Sequence, residues 1–180
     1  MILTYGECLA RYGTDYRIKK EVQAGKLFRK DKGIYTDEKL CSDVALITAK
    51  YPRAIFTAES AYFYYGLTDV IPDLFHLATL RTDSRIKDAV VRQYFVNENL
   101  FKLGKTSMNY HGVQIPIYSR ERMLVELVRQ KSKLPYDYYK EIISNYRQIA
   151  EKMDFFQVEE CAGKLRNHDS IMNAIDLEVL

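Results

Sequence analysis

At 180 residues, 47% of them hydrophobic, with only 4 Pro and 8 Gly, the chain has the composition of a globular protein with a sizeable core, which excludes a disordered or fibrous polymer. Its 27 basic and 24 acidic residues leave a formal net charge of only +3, so any anion-binding surface has to come from local clustering. No apolar run approaches the roughly 18 residues a membrane span needs, and the start "MILTYGECLARYG" lacks the basic-then-apolar build of a signal peptide. A cytoplasmic location with no membrane partner is expected.

In chain order, Thr4-Tyr5-Gly6-Glu7 fits a capping box and predicts a short helix to about Tyr12, ended by Gly13. Thr14 can cap a second helix with Ile18 and Val22 on its apolar side and Arg17, Lys19, Lys20 and Gln23 on its polar side, stopped by Gly25. "KLFRK", the turn "DKG" and "IYT" then read as a β-hairpin in which Gly33 takes positive φ. Helix, turn, helix, hairpin over residues 1–36 is the order of a winged helix-turn-helix. Between residues 11 and 32 eight basic residues stand against three acidic ones, an excess larger than the net charge of the whole chain. Such an excess can gather phosphate contacts on one face, with the second helix in a major groove and the hairpin on the backbone. A solvated basic hairpin that protects a sheet edge is the competing reading.

Residues 37–50, within "DEKLCSDVALITAKYP", carry Leu40, Val44 and Ile47 at helical spacing and predict a linker helix that ends before Pro52. Thr57 is placed to cap a helix through Tyr65, with Gly66 just past its end. "LFHLATL", "VVRQYFV", "TSMNYHGV" and "IPIYS" have the β-branched and aromatic content of strands, and "NENLFKLGK" reads as a loop between them. From Ser119 onward four segments, "SRERMLVELVRQ", "PYDYYKEIISNYRQ", "DFFQVEECAGKL" and "HDSIMNAIDLEVL", return to helix. The fold class expected is therefore α+β: a winged helix over 1–36, a linker helix over 37–50, and a second domain over 51–180 with mixed strands to 118 and helices from 119.

Enzymatic constellations are missing from the pattern. No G-x-S-x-G, H-E-x-x-H or phosphate-cradling G-x-x-x-x-G-K-[ST] occurs. His76 lies in an apolar strand pattern that suits a core histidine, and Asp69 and Asp73 flank "VIP" as turn formers rather than as metal ligands. Cys8, Cys41 and Cys161 are odd in number and far apart, which indicates neither a disulfide framework nor zinc. The four aromatics Tyr62, Phe63, Tyr64 and Tyr65 have no flanking basic residues, so core packing is favoured over a base-stacking platform. In the C-terminal helices interleaved acids point to an ordinary charged exterior. No catalytic residue, metal or cofactor is assigned.

Three blocks, "AGKLFRKDKGIYT" (24–36), "FTAESAYFYYGLTDVIPDLFHLATL" (56–80) and "GVQIPIYSRERMLVELVRQ" (112–130), together resemble the AbiEi family, antitoxins of type IV toxin-antitoxin systems associated with phage abortive infection. The resemblance runs from about residue 2 to 150 and rests on the order and spacing of the blocks. Where the family carries "R-x-L-x-D", this chain reads Arg122, Leu124 and Glu126, a longer carboxylate. The resemblance implies a regulator that binds inverted repeats in its own promoter, as a dimer on DNA, and represses its operon. It also implies a nucleotidyltransferase-like toxin as functional partner, counteracted by the C-terminal part.

For contact with double-stranded promoter DNA the expected residues are Thr14, Asp15, Tyr16, Arg17, Lys19 and Lys20 on the second helix, with Arg29, Lys30 and Lys32 on the hairpin. Arg17 is the candidate for a base edge, since a guanidinium can donate bidentately to guanine, and the lysines hold phosphate. The alternative is a protein-interaction module that acts through its aromatic or C-terminal helices and uses the basic hairpin for solubility alone.

Overall fold

Residues 1–180 are described by a computed structural model, in which the α+β chain divides into two units, Met1–Arg53 and Ala54–Leu180. The first unit begins with a strand that the sequence pattern does not announce, β1 (Ile2–Thr4), followed by α1 (Tyr5–Tyr12), α2 (Asp15–Gln23), β2 (Phe28–Asp31), β3 (Ile34–Thr36) and α3 (Asp43–Lys50). The capping box forms as expected: the Glu7 amide donates to Thr4 Oγ1 at 3.3 Å and the Thr4 amide to Glu7 Oε2 at 2.7 Å. The Thr4 amide and the Thr4 hydroxyl both donate to this carboxylate and hold the Glu7 pKa below its ordinary value. At the other end of α2, Gly25 takes φ of 68° and completes a Schellman closure, with its amide on Val22 O and that of Lys26 on Glu21 O.

The three strands form an antiparallel sheet in the order β1-β3-β2. β3 is central, and all three of its residues are buried. The packed centre of this unit consists of Leu3, Cys8, Ile18, Leu27 and Tyr35, so β1, both helices and the hairpin all contribute to it. The hairpin turns at Lys32-Gly33, with φ of 75° at Gly33, and its register slips between Arg29 and Asp31. Lys30 is the extra residue of that bulge. The helix expected over 37–50 starts only at Asp43, where the Ser42 hydroxyl accepts from the Ala45 amide at 3.2 Å. It packs on β1 and β3, and so belongs to the first unit.

The second unit is built on a mixed sheet in the order β6-β5-β4-β8-β7, formed by β4 (Ile55–Phe56), β5 (Phe75–Leu80), β6 (Val91–Val96), β7 (Lys105–Tyr110) and β8 (Val113–Tyr118). β5 pairs parallel with β6 and antiparallel with β4, while β7 and β8 form a hairpin closed by His111 and Gly112, both at positive φ. The helices are α4 (Ala58–Tyr64), α5 (Glu98–Phe101), α6 (Arg120–Arg129), α7 (Tyr136–Ile149), α8 (Phe155–Gly163) and α9 (His168–Glu178). Two of these elements depart from the sequence reading: α5 lies inside the expected loop "NENLFKLGK", and β4 is too short to carry a strand pattern.

α6 is the axis of this unit, buried from Arg122 to Val128 and packed against α4, α8 and α9. Burial on every side admits two charged residues only because they pair. The Arg122 guanidinium donates to Glu126 Oε1 at 2.7 Å, and Arg129 Nε donates to Oε2 of the same carboxylate at 2.8 Å. Of the aromatic run Tyr62 and Tyr64 are core, while Phe63 and Tyr65 are half-buried. The Tyr62 hydroxyl donates to the Met123 carbonyl at 3.2 Å, that of Tyr65 to Tyr118 O at 2.8 Å, and Tyr64 meets Phe56 edge-on. His76 is also core: it is 2% exposed, its Nδ1 lies 2.9 Å from the Tyr94 hydroxyl and its Nε2 3.6 Å from Glu59.

Candidate nucleic-acid interface

The nine residues expected to meet DNA come from α2 and the β2–β3 hairpin. On α2 the buried positions are Ile18 and, in part, Glu21 and Val22, which fixes the direction of the others. At about 100° per residue Lys19, Gln23, Tyr16, Lys20 and Arg17 then fan across the opposite side of the helix. All five are exposed, Tyr16 by 75% although it is a large aromatic residue. Thr14 begins the helix, and its hydroxyl accepts from the Arg17 amide at 3.3 Å. It acts locally as a cap that sets where Arg17 starts its turn. Asp15 pairs with Lys19 at 2.8 Å, one helical turn apart and open to solvent. This hydrogen bond raises the Lys19 pKa, and the carboxylate offsets part of the charge that Lys19 presents. Arg17 and Lys20 are the cations of this face without a carboxylate bonded to them.

The hairpin divides its three cations. Strand alternation turns Arg29 outward, where Nε also reaches the Asp31 carbonyl at 3.4 Å, and Lys32 is exposed at the turn. Lys30 lies on the other side, half-buried, with its ammonium donating to the Lys39 carbonyl. The same alternation accounts for this direction, and the bulge leaves Lys30 without a partner on β3. An ammonium has three donors, so this contact leaves capacity for an anion but anchors Lys30 to its own unit.

Between α2 and the hairpin runs a groove of about 760 Å3. Asp15, Lys19 and Gln23 line it from the helix, Arg29 and Lys32 from the hairpin, and Tyr5 and Tyr35 form part of its floor. The structure thus brings Asp15, Lys19, Arg29 and Lys32 together, and places Tyr16, Arg17 and Lys20 farther round the helix. Gln23 and Tyr5 are members of this surface that the charge count overlooks. The sequence already places Gln23 on the polar side of α2 with Lys19 and Lys20, whereas Tyr5 enters only through the strand-to-helix turn in which its amide donates to Gly33 O at 2.8 Å.

No protein-family model and no curated protein matches the sequence. Among solved structures the fold is similar to that of the RV2827C protein from Mycobacterium tuberculosis, with a TM-score of 0.59 at 15% identity, over 91% of this chain and 66% of that one. At that identity the likeness concerns the fold alone, and the chain spans just under two thirds of that protein's length.

Proposed function

We propose that residues 1–36 act as a winged helix-turn-helix that binds double-stranded promoter DNA, and that the chain is an AbiEi-type antitoxin that represses its own operon. The observation that carries the reading is the single exposed face of α2, where Tyr16, Arg17, Lys19, Lys20 and Gln23 point away from the core. In this reading α2 enters the major groove with Arg17 towards a base edge and Lys19 and Lys20 towards phosphates, while Lys32 holds the backbone beside the hairpin. Inverted repeats would be read by two copies of the chain. The second unit supplies the antitoxic activity against a nucleotidyltransferase-like toxin, and the chain itself works as a regulator without catalysis, metal or cofactor.

The two halves of this proposal are tested together in cells. A reporter fused to the chain's own upstream region should be repressed by the full chain and released by Arg17→Ala combined with Lys20→Ala. The same double variant should still rescue growth when the neighbouring toxin gene is expressed. Repression unchanged by the double substitution would sink the DNA-reading face, and failure of the native chain to rescue growth would sink the antitoxin assignment.

A further inference from the structure

The second unit holds a cavity of about 330 Å3 whose lining carries an excess of basic over acidic side chains, with Arg92, Arg129 and Lys133 open to solvent and Arg122 buried. Arg92 reaches it from β6, Arg122 and Arg129 from α6, and Lys133 from the turn that follows; the acids in the same wall are Glu59 and Glu126. Four cations against two carboxylates leave two positive charges. Glu126 is shared between Arg122 and Arg129, so neither guanidinium has a carboxylate of its own. Arg122 is the extreme case: it is 2% exposed, and its Nε and Nη1 are sealed from solvent with no hydrogen-bond acceptor. Its third nitrogen donates to Glu126, and the two donors left without an acceptor in so buried a place are costly. Ala58, in the same wall, holds φ of 46°, a conformation that disfavours a residue with a Cβ and that accumulates around ligand sites.

From this excess we infer that the cavity is a binding site for a small phosphate monoester with a compact ring body, of the size of a nucleoside monophosphate. A phosphate monoester is close to a dianion at neutral pH, which matches the two unpaired charges, whereas a single carboxylate would leave one of them standing. Guanidinium forks suit its oxygens better than ammonium alone. Tyr62, Tyr94, Phe95, Tyr118 and Met123 supply apolar and aromatic wall for the rest of the molecule, and the volume lies at the small end of ligand cavities. The site lies wholly in Ala54–Leu180 and does not depend on the DNA-binding proposal.

The test is calorimetric titration of the full chain, without DNA, against adenosine monophosphate, cytidine monophosphate, ribose 5-phosphate, inorganic phosphate, citrate and unphosphorylated adenosine. A nucleoside monophosphate or ribose 5-phosphate should bind at least tenfold more tightly than adenosine, inorganic phosphate or citrate, and the stronger of the two distinguishes a nucleotide from a sugar phosphate. Arg92→Ala and Lys133→Ala, both at exposed positions, should each weaken that binding several-fold while the melting temperature of the free protein stays unchanged. Equal affinity for adenosine and its monophosphate would overturn the anion assignment, and equal affinity for inorganic phosphate would overturn the ring body. Absence of binding by every phosphate monoester at millimolar concentration would overturn the site itself.

Discussion

Individual residues of this chain show how strongly burial constrains chemistry. His76 sits against Tyr94 and Glu59 in the core, and burial, reinforced by the nearby Arg92 charge, lowers its pKa from 6.5 to about 4. The unfolded chain therefore takes up a proton in a range where the native state does not. The stability this contributes is fully present above pH 6.5 and is lost as pH falls towards 4, by about 3 kcal/mol in all. Urea unfolding at pH 7 and pH 4.5 should show a larger acid loss for the native chain than for His76→Gln; equal losses would contradict the assignment. Gly104 is constrained differently. It holds φ of 64°, and a Cβ built there would lie 2.6 Å from the Arg122 Cβ, which belongs to the rigid base of that side chain. Gly104→Ala should cost on the order of 1–3 kcal/mol in thermal unfolding, through strain and the displacement of Arg122. Unchanged stability would mean that α6 yields more readily than its burial suggests.

At the scale of elements, what could be read from the sequence follows what a local pattern can carry. α1 and α2 are legible because caps and helical periodicity lie within each segment, and the first cap can be weighed: Thr4→Ala should lower stability by about 1 kcal/mol in chemical unfolding. No measurable loss would mean that Glu7 or water replaces the hydroxyl. The four C-terminal helices are legible from the same kind of pattern, and β5 to β8 from β-branched and aromatic content that lies within each segment. β1 and β4, of three and two residues, are not, since alternation cannot appear in so short a run and only their partners β3, β5 and β8 make them strands. α3 starts late because Ser42 offers a better cap than the charged stretch before it. The candidate interface divides along the same line. The outward face of α2 follows from Ile18 and Val22, whereas the anchoring of Lys30 to the Lys39 carbonyl depends on a chain segment nine residues on that only the fold brings near. The cavity in the second unit was invisible, because its cations come from β6, α6 and the turn beyond it, segments that only the fold brings together.

For the whole molecule, the modest net charge of +3 conceals a basic α2–hairpin surface in the first unit and a cationic cavity in the second. No helix is long and apolar enough to cross a membrane. The two charged features are proposed sites for different anions: the groove of about 760 Å3 for a duplex, and the cavity of about 330 Å3, lined in part by the exposed Arg92 and Lys133, for a small phosphate. The central claim is that the exposed α2 face reads DNA, and it is tested most directly by fluorescence anisotropy of the full chain with a duplex of its own upstream region and with a scrambled duplex, over a range of salt. The account predicts tighter binding to the upstream duplex and a steep loss of affinity with salt. Lys20→Ala should lower affinity for both duplexes and reduce the salt slope by roughly one, while Arg17→Ala should erode the preference between them. Absence of binding to either duplex at low salt, or a preference that survives Arg17→Ala intact, would contradict it.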